Sequence, residues 1–417
     1  MRVFFLSLKW TAFERFVEGK TSFPEGTPSS YLPWLRYIKK GHSVDVFIPW
    51  SGVASKVMDF YGCRLHIVAR PRLFRNKRWH FPVNRLALLV DSILICICVI
   101  KTAKKYGKPD VIYSYRIDFS FLGWFLAKCS RAVFVKRLFG TWAYWNWRFN
   151  CGLAKKCSAI FEFLRWLWPS DMIIVTNDGT QGDKVAKLLK IPERKFRFWF
   201  NGVEKEQPPD KLKSLELRKS MDLKKEDFVL MCLSRLVDWK RQDRVIKAMP
   251  IIIKSVPNAC LVLVGDGPER NNLEKLVSEL NLESKVRFIG MIEHAQTRNI
   301  ISVADIFLQT NDLSCLGSTL LEAMICGRAI VTWDIGDTKD VIKDGETGCL
   351  MPDVEPETIA RTVISLSKDV EKRNHLAEGA RMFAENHLKS WDERCDMEIA
   401  LIKQLCDKKQ CFRQKGK

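Results

Sequence analysis

The stretch Ile306-Phe-Leu-Gln-Thr-Asn-Asp-Leu-Ser-Cys-Leu-Gly-Ser-Thr-Leu-Leu-Glu-Ala-Met-Ile-Cys-Gly327 reads as strand, turn and helix. The apolar run ends near Thr310, and Gly317-Ser318-Thr319 opens a helix whose first amides have no intrahelical partner. Such an amino terminus binds phosphate without any side-chain charge. Glu322 lies one turn inside, where a carboxylate could accept hydrogen bonds from ribose hydroxyls. Ser318 or Thr319 followed by Glu322 is equally an ordinary capping arrangement, and these residues alone leave both readings open.

The same alternation extends in both directions. Upstream in the second half, apolar runs at Phe228–Leu233, Cys260–Val264 and Val286–Ile289, and downstream Ala329–Thr332, are each followed by a helix-length segment. The first half repeats the pattern with Val3–Leu6, Ser43–Ile48, Arg64–Val68, Asp110–Tyr115, Val133–Leu138 and Met172–Thr176, with helices that include Ser30–Lys40 and Leu86–Lys105. Alternating strands and helices predict an α/β fold with parallel sheets, and 417 residues suggest two domains. The expected division is an N-terminal Rossmann-like domain over 1–203 and a polar, lysine-rich connection with Pro208-Pro209 over 204–225. A C-terminal Rossmann-like domain over 226–388 and a last helical segment over 389–417 follow. Ligands of open parallel sheets sit beyond the carboxyl ends of the strands, so motifs that follow strands carry the most weight.

Two further motifs stand at such ends. Ser234-Arg-Leu-Val-Asp-Trp-Lys240 places a forked guanidinium and a point ammonium where they could neutralise a diphosphate; an isolated Arg/Lys pair is also common in a solvated loop. Val264-Gly-Asp-Gly-Pro-Glu-Arg270 has two glycines of a dinucleotide fingerprint but Arg270 at the third site, and reads as a tight turn into a helix with proline near its start.

The net charge of +20 is one-sided: residues 1–200 hold 34 Lys/Arg against 13 Asp/Glu, and residues 201–417 hold 34 against 35. A bias confined to one half implies a polyanionic partner for that half. Its densest cluster, Arg70-Pro-Arg-Leu-Phe-Arg-Asn-Lys-Arg-Trp-His-Phe81, interleaves cations with rings in a way that suits an anionic membrane surface and equally a solvated loop. A nucleic-acid surface would use the same residues, yet no nucleic-acid module is recognisable, and the expectation is no nucleic-acid partner. Leu86–Ile100 is too short to span a bilayer comfortably and is expected to be a buried helix. The 14 cysteines are scattered, with no Cys-x-x-Cys pair, and read as free thiols of a reducing cytosol. The six histidines show no metal-ligand spacing.

Taken in order, Arg235 with Lys240, Val264–Arg270, Val286-Arg-Phe-Ile-Gly290, Ala304-Asp305, Leu320-Leu-Glu-Ala-Met324, Cys326-Gly327 and Asp344-Gly-Glu-Thr-Gly348 closely resemble the donor half of the retaining glycosyltransferases of family 4, which have the GT-B fold of two Rossmann-like domains facing across a cleft. Trp391 resembles the start of that family's last helix, which crosses back onto the first domain. The resemblance is specific over about residues 196–400. It implies a hexosyltransferase using a nucleoside diphosphate sugar, with Arg235 and Lys240 on the donor phosphates and Glu322 on the ribose. Gly290 and Met291 would touch the base, and Gly317, Ser318, Thr319 and Leu320 would present helix amides. Gly26 looks like the family's first-domain glycine loop. Acceptor-side candidates are Arg116, Phe139 and Trp142, the last within the aromatic run Gly140–Trp147.

The sequence departs from the family at two places. Ser314 stands where a glutamate is usual, with Asp312 two residues earlier as a possible replacement, and Phe139-Gly140 stands where a histidine precedes the glycine. These departures motivate a degenerate, binding-only transferase as one alternative, and a nucleotide-sugar epimerase of the same fold is another. No Asp-x-Asp occurs, so a metal ion and a cofactor are not needed to explain charge neutralisation. The resemblance implies retention of anomeric configuration, with the leaving phosphate taking the acceptor proton. The expected acceptor is a glycan or lipid-linked glycan of the cell envelope. The expected location is the cytoplasm, peripheral on the inner face of the membrane through 70–81.

Overall fold

The computed structural model describes residues 1–7, 13–21, 28–71, 81–115, 117–141, 152–205 and 211–415. Gly26, Arg116, Trp142 and most of the basic cluster at 70–81 lie outside these residues, as does the aromatic run beyond Thr141.

In the N-terminal half the strands are β1 Arg2–Leu6, β2 Ser43–Trp50, β3 Lys56–Phe60, β4 Cys63–Ala69, β5 Val111–Ser114, β6 Val133–Leu138, β7 Met172–Thr176 and β8 Phe196–Trp199. Its helices are α1 Glu14–Val17, α2 Leu32–Lys39, α3 Phe81–Tyr106, α4 Ser120–Ser130, α5 Gly152–Leu167 and α6 Gly182–Leu188. The C-terminal half contains β9 Phe228–Leu233, β10 Ala259–Val264, β11 Val286–Gly290, β12 Ile306–Leu308, β13 Ala329–Trp333 and β14 Cys349–Met351. With them are α7 Lys211–Ser220, α8 Gln242–Ser255, α9 Arg270–Glu279, α10 Thr297–Ile301, α11 Ser318–Ile325, α12 Pro356–Lys368, α13 Val370–His387 and α14 Trp391–Lys415.

Among the described residues the first sheet has the order β3-β4-β2-β1-β5-β6-β7-β8 and the second β11-β10-β9-β12-β13-β14. All pairings are parallel apart from the β3–β4 hairpin, which lies at one edge. Parallel strands must be covered on both faces, and the side-chain alternation shows how. Val3 and Phe5 of β1 point into a core closed by α2 and by Ile399, Ile402 and Cys406 of α14. Phe4 and Leu6 point the other way, onto Ile95 and Val99 of α3 and Leu122 and Leu126 of α4.

Two expectations need correction. The polar connection at 204–225 is not simply a linker. It includes α7, which Ser214 and Arg218 tie to the second domain through Ser302 Oγ at 2.7 Å and the Val303 carbonyl at 3.1 Å. The helix expected over Leu86–Lys105 runs from Phe81 to Tyr106, and its apolar part, expected to be buried, meets the sheet along only one flank. Its other flank leaves Leu89 56% and Ile93 52% exposed.

The return of α14 to the first domain is held by charge as well as by packing. Arg36 of α2 donates to Asp396 at 2.7 Å. Glu398 is fully buried between Arg137 at 2.8 Å and Arg394 at 2.9 Å, with the Tyr113 hydroxyl donating to its second oxygen. Burial raises the Glu398 carboxyl, but the two guanidiniums outweigh it and hold the group below its usual range.

Candidate active site at the carboxyl ends of β9 and β12

The loop after β9 is fixed by Gln242 at the start of α8, whose amide donates to Ser234 Oγ at 2.9 Å and to the Arg235 carbonyl at 3.3 Å. Arg235 projects from it exposed, and among the described residues its guanidinium has no carboxylate partner. Lys240 ends a 3-10 turn, Asp238–Lys240, with its Nζ 4.2 Å above the Trp239 ring centroid. Burial lowers its pKa to about 8, the opposing influence of Cys315 and Asp178 being smaller, and Arg235 lowers it further. No carboxylate lies within ion-pair distance of Lys240 among the described residues. Two cations without anions on one strand-end loop are an arrangement that favours an anionic ligand.

The glycines after β10 serve this loop rather than a phosphate. A Cβ on Gly265 would lie 2.1 Å from the Ser234 carbonyl oxygen, and one on Gly267 would lie 2.1 Å from that of Leu236. The motif at 264–270 is therefore a packing surface for the Arg235 loop, in keeping with its incomplete fingerprint. Gly290 closes β11, with its carbonyl accepting from Gly265 N at 2.8 Å, and Met291 beyond it is 58% exposed.

Facing the loop, α11 begins at Gly317, an extended N-cap residue that supplies no side-chain cap. The Ser318 hydroxyl accepts from Asn201 at 3.0 Å and the Thr319 hydroxyl from Gln309 at 3.0 Å. Among the described residues neither side chain caps the helix, and the amides of Ser318 and Thr319 have no acceptor. The ordinary capping box is thus not formed, and the anion-binding geometry remains. Leu320 is core, its amide spent on the Gly317 carbonyl at 3.0 Å.

Glu322 is buried one turn in, and desolvation raises its pKa to about 8, with Glu204 adding to the rise and Arg298 opposing it. His294 Nδ1 is 3.6 Å from its Oε1, which has the geometry of an ion pair. Burial lowers the imidazole to about 4, so near neutral pH both groups are uncharged and the contact is a neutral one. Among the described residues His294 Nε2 is buried without a partner.

The two family departures have other uses here. Ser314 donates its hydroxyl to the Asp178 carbonyl at 2.6 Å and accepts from Leu316 N at 3.0 Å. Arg244 and Arg241 hold the carboxylate of Asp312 at 2.7 and 3.2 Å. Phe139 packs its ring 5.3 Å from that of Tyr115 and 5.2 Å from the Arg137 guanidinium.

The loop after β7 is absent from the motifs named above. Asn177 donates to Asp340 at 3.1 Å, Gln181 to Asp337 at 3.3 Å, and a Cβ on Gly179 would lie 1.9 Å from Ser314 Oγ. The loop clasps the two domains together. Burial lifts its Asp178 to about 6, less the effect of hydrogen bonds from Thr180 and the charge of Lys240. Its signal was available: Asn177-Asp-Gly-Thr180 is a turn sequence directly after a strand.

Residues 213–383 match the family model described as glycosyl transferases group 1. N-acetyl-alpha-D-glucosaminyl L-malate synthase of Bacillus anthracis is 30% identical over 199 residues, 48% of this chain and 51% of that protein. A GDP-mannose-dependent monoacylated alpha-(1-6)-phosphatidylinositol monomannoside mannosyltransferase of Corynebacterium glutamicum is 27% identical over 236 residues, 51% of this chain and 60% of that one. The matches thus span about half the length of these curated relatives. Among solved structures, sucrose-phosphate synthase of Thermosynechococcus elongatus superposes with a TM-score of 0.75 at 18% identity, covering 97% of this chain and 98% of that one. Anabaena HepE in complex with UDP-glucose gives 0.70 at 18% identity, covering 96% and 98%. The architecture is the GT-B fold, two parallel-sheet α/β domains.

Proposed function

We propose that this chain is a glycosyltransferase that moves a hexose-type sugar from a nucleoside diphosphate donor to a glycan or lipid-linked acceptor, with retention of configuration and without a metal ion. The observation that carries the reading is a cation couple, Arg235 and Lys240, without a carboxylate partner among the described residues, with Lys240 in range of Cys315 just ahead of the uncapped amino terminus of α11. Breaking the anomeric bond leaves negative charge on the diphosphate. Two fixed cations and helix amides stabilise that charge without reorganisation, and loss of one such group commonly costs about 10²-fold in rate. Glu322 would take the ribose hydroxyls, and the exposed backbone at Gly290 and Met291 would meet the base. The family match over the donor half and the nucleotide-sugar names of the relatives support the same reading.

Titration calorimetry with uridine and guanosine diphosphates tests it. Micromolar binding of one of them, lost in Arg235→Ala, is the expected result, and no binding of either would remove the donor reading. A second reading is favoured by Ser314 and Phe139, which stand where the resembled family has a glutamate and a histidine and which bond Asp178 and pack on Tyr115 instead. If the protein binds the nucleotide but releases no diphosphate from any donor sugar, it is a binding protein on a transferase fold.

A further inference from the structure

We propose that the outward face of α3, α4 and α5 is a docking surface for an anionic lipid bilayer, with the helices lying in the plane of the membrane. The three helices cover the same face of the first sheet in that order, each packed against the next. On α3 the exposed positions Leu86, Leu89, Ile93, Ile97 and Ile100 recur at helical spacing and form one stripe. A surface helix ordinarily places polar residues there; here the inward flank carries the acid, Asp91, fully buried and bonded by Arg70. Phe121 and Phe125 on α4, then Ile160, Leu164 and Leu167 on α5, continue the exposed apolar surface across the sheet. Phe121, Trp124 and Trp168 form an aromatic cluster within it, with centroids 5.2 to 6.1 Å apart.

Charge selects the occupant. Lys101, Lys104 and Lys105 are exposed at the end of α3, and Lys128 and Arg131 at the end of α4. Apart from buried Asp91, the acid in these helices is Glu162, which accepts from Thr141. A second copy would bring like charge against like, and nucleic acid has no use for bare leucine and isoleucine. A bilayer with anionic headgroups satisfies both the apolar stripes and the cationic margin. Although Leu86–Tyr106 is long and apolar enough to cross a membrane, Ile95 and Val99 are sealed against Phe4 and Phe47. The helix therefore lies on the membrane and does not span it.

The inference does not depend on sugar transfer, and its test is separate from nucleotide binding. Sedimentation with phosphatidylcholine vesicles, with and without phosphatidylglycerol, is compared for the native chain, for Leu89→Ser/Ile93→Ser/Ile97→Ser and for Lys101→Glu/Lys104→Glu/Lys105→Glu. The native protein is expected to bind the anionic vesicles, and each triple variant to bind at least about tenfold more weakly with unchanged Tm and nucleotide affinity. Should the serine variant fail to fold, the charge variant decides, since it alters no apolar residue. Absence of native binding at low salt, or equal binding by the folded variants, overturns the proposal. A native dimer in lipid-free sedimentation that the serine substitutions dissociate would assign the face to a second copy and overturn it as well.

Discussion

Ser314 and Asp178 meet across the domain boundary, the serine hydroxyl donating to the aspartate's main-chain carbonyl over 2.6 Å. The bond ties the loop that precedes the candidate donor helix α11 to the strand-end loop of the other domain. Gly179→Ala would place a methyl 1.9 Å from Ser314 Oγ at a backbone φ of +79°. We expect it to destabilise the protein by about 1–3 kcal/mol in urea unfolding and to widen the particle in small-angle scattering. An unchanged scattering profile would show that the clasp does not set the domain spacing.

Arg235→Ala removes an exposed cation that has no carboxylate partner among the described residues. Nucleoside diphosphate affinity should fall by about 2–3 kcal/mol, a factor of roughly 30 to 150, with Tm unchanged within the error of a thermal scan. A large loss of Tm together with affinity would instead make Arg235 a structural residue.

The pH dependence of donor binding follows from Lys240. Its folded pKa of about 8 lies below its ordinary value of 10.5, so the ammonium is present at neutral pH and lost as pH rises through 8. In a Glu322→Gln background, which removes the opposing titration of that carboxyl near pH 8, nucleotide affinity should fall over that range. Stability should do the opposite: between pH 8 and 10.5 the unfolded lysine binds the proton more tightly than the folded one, so unfolding free energy rises with pH from this group. Lys240→Met should abolish the alkaline loss of affinity.

Glu322 is protonated near neutral pH in the free protein, with a pKa of about 8. Ribose hydroxyls donating to it favour the carboxylate, so nucleotide binding should release up to about one proton at pH 7. Calorimetry in two buffers of different ionisation enthalpy measures this. Glu322→Gln should bind more weakly and release none; proton release that persists in this variant would place the titrating group elsewhere.

Glu398→Ala would leave Arg137 and Arg394 facing each other in the interior without their shared carboxylate. We expect a loss of about 3–5 kcal/mol, visible as a fall in Tm.

The alternation of strands and helices was legible because parallel strands covered on both faces become short unbroken apolar runs, as in Cys260–Val264 or Met172–Val175. Lys56–Phe60 escaped because four of its five residues stay at least partly exposed, so nothing in its pattern demands a strand; the hairpin with β4 makes it one. Arg235, Lys240 and Glu322 stand out as candidates through the ordered motifs that resemble a known donor half. Asp178 does not, since its loop matters only when 177 meets 340, and the contact of Asn201 with Ser318 is likewise a product of the fold. Side-chain satisfaction is equally invisible in a sequence. Asp312 looks like a free acid in print, and only the fold brings Arg241 and Arg244 to it.

The threading of α14 through the first domain's core has a consequence for biosynthesis. Ile399, Ile402 and Cys406 complete the same cluster as Val3 and Phe5. The half made first by the ribosome thus stays unsealed until the half made second has emerged. During that interval Arg137 waits for Glu398, and a nascent chain halted before residue 398 would hold an open sheet face, a ready target for chaperones and proteases.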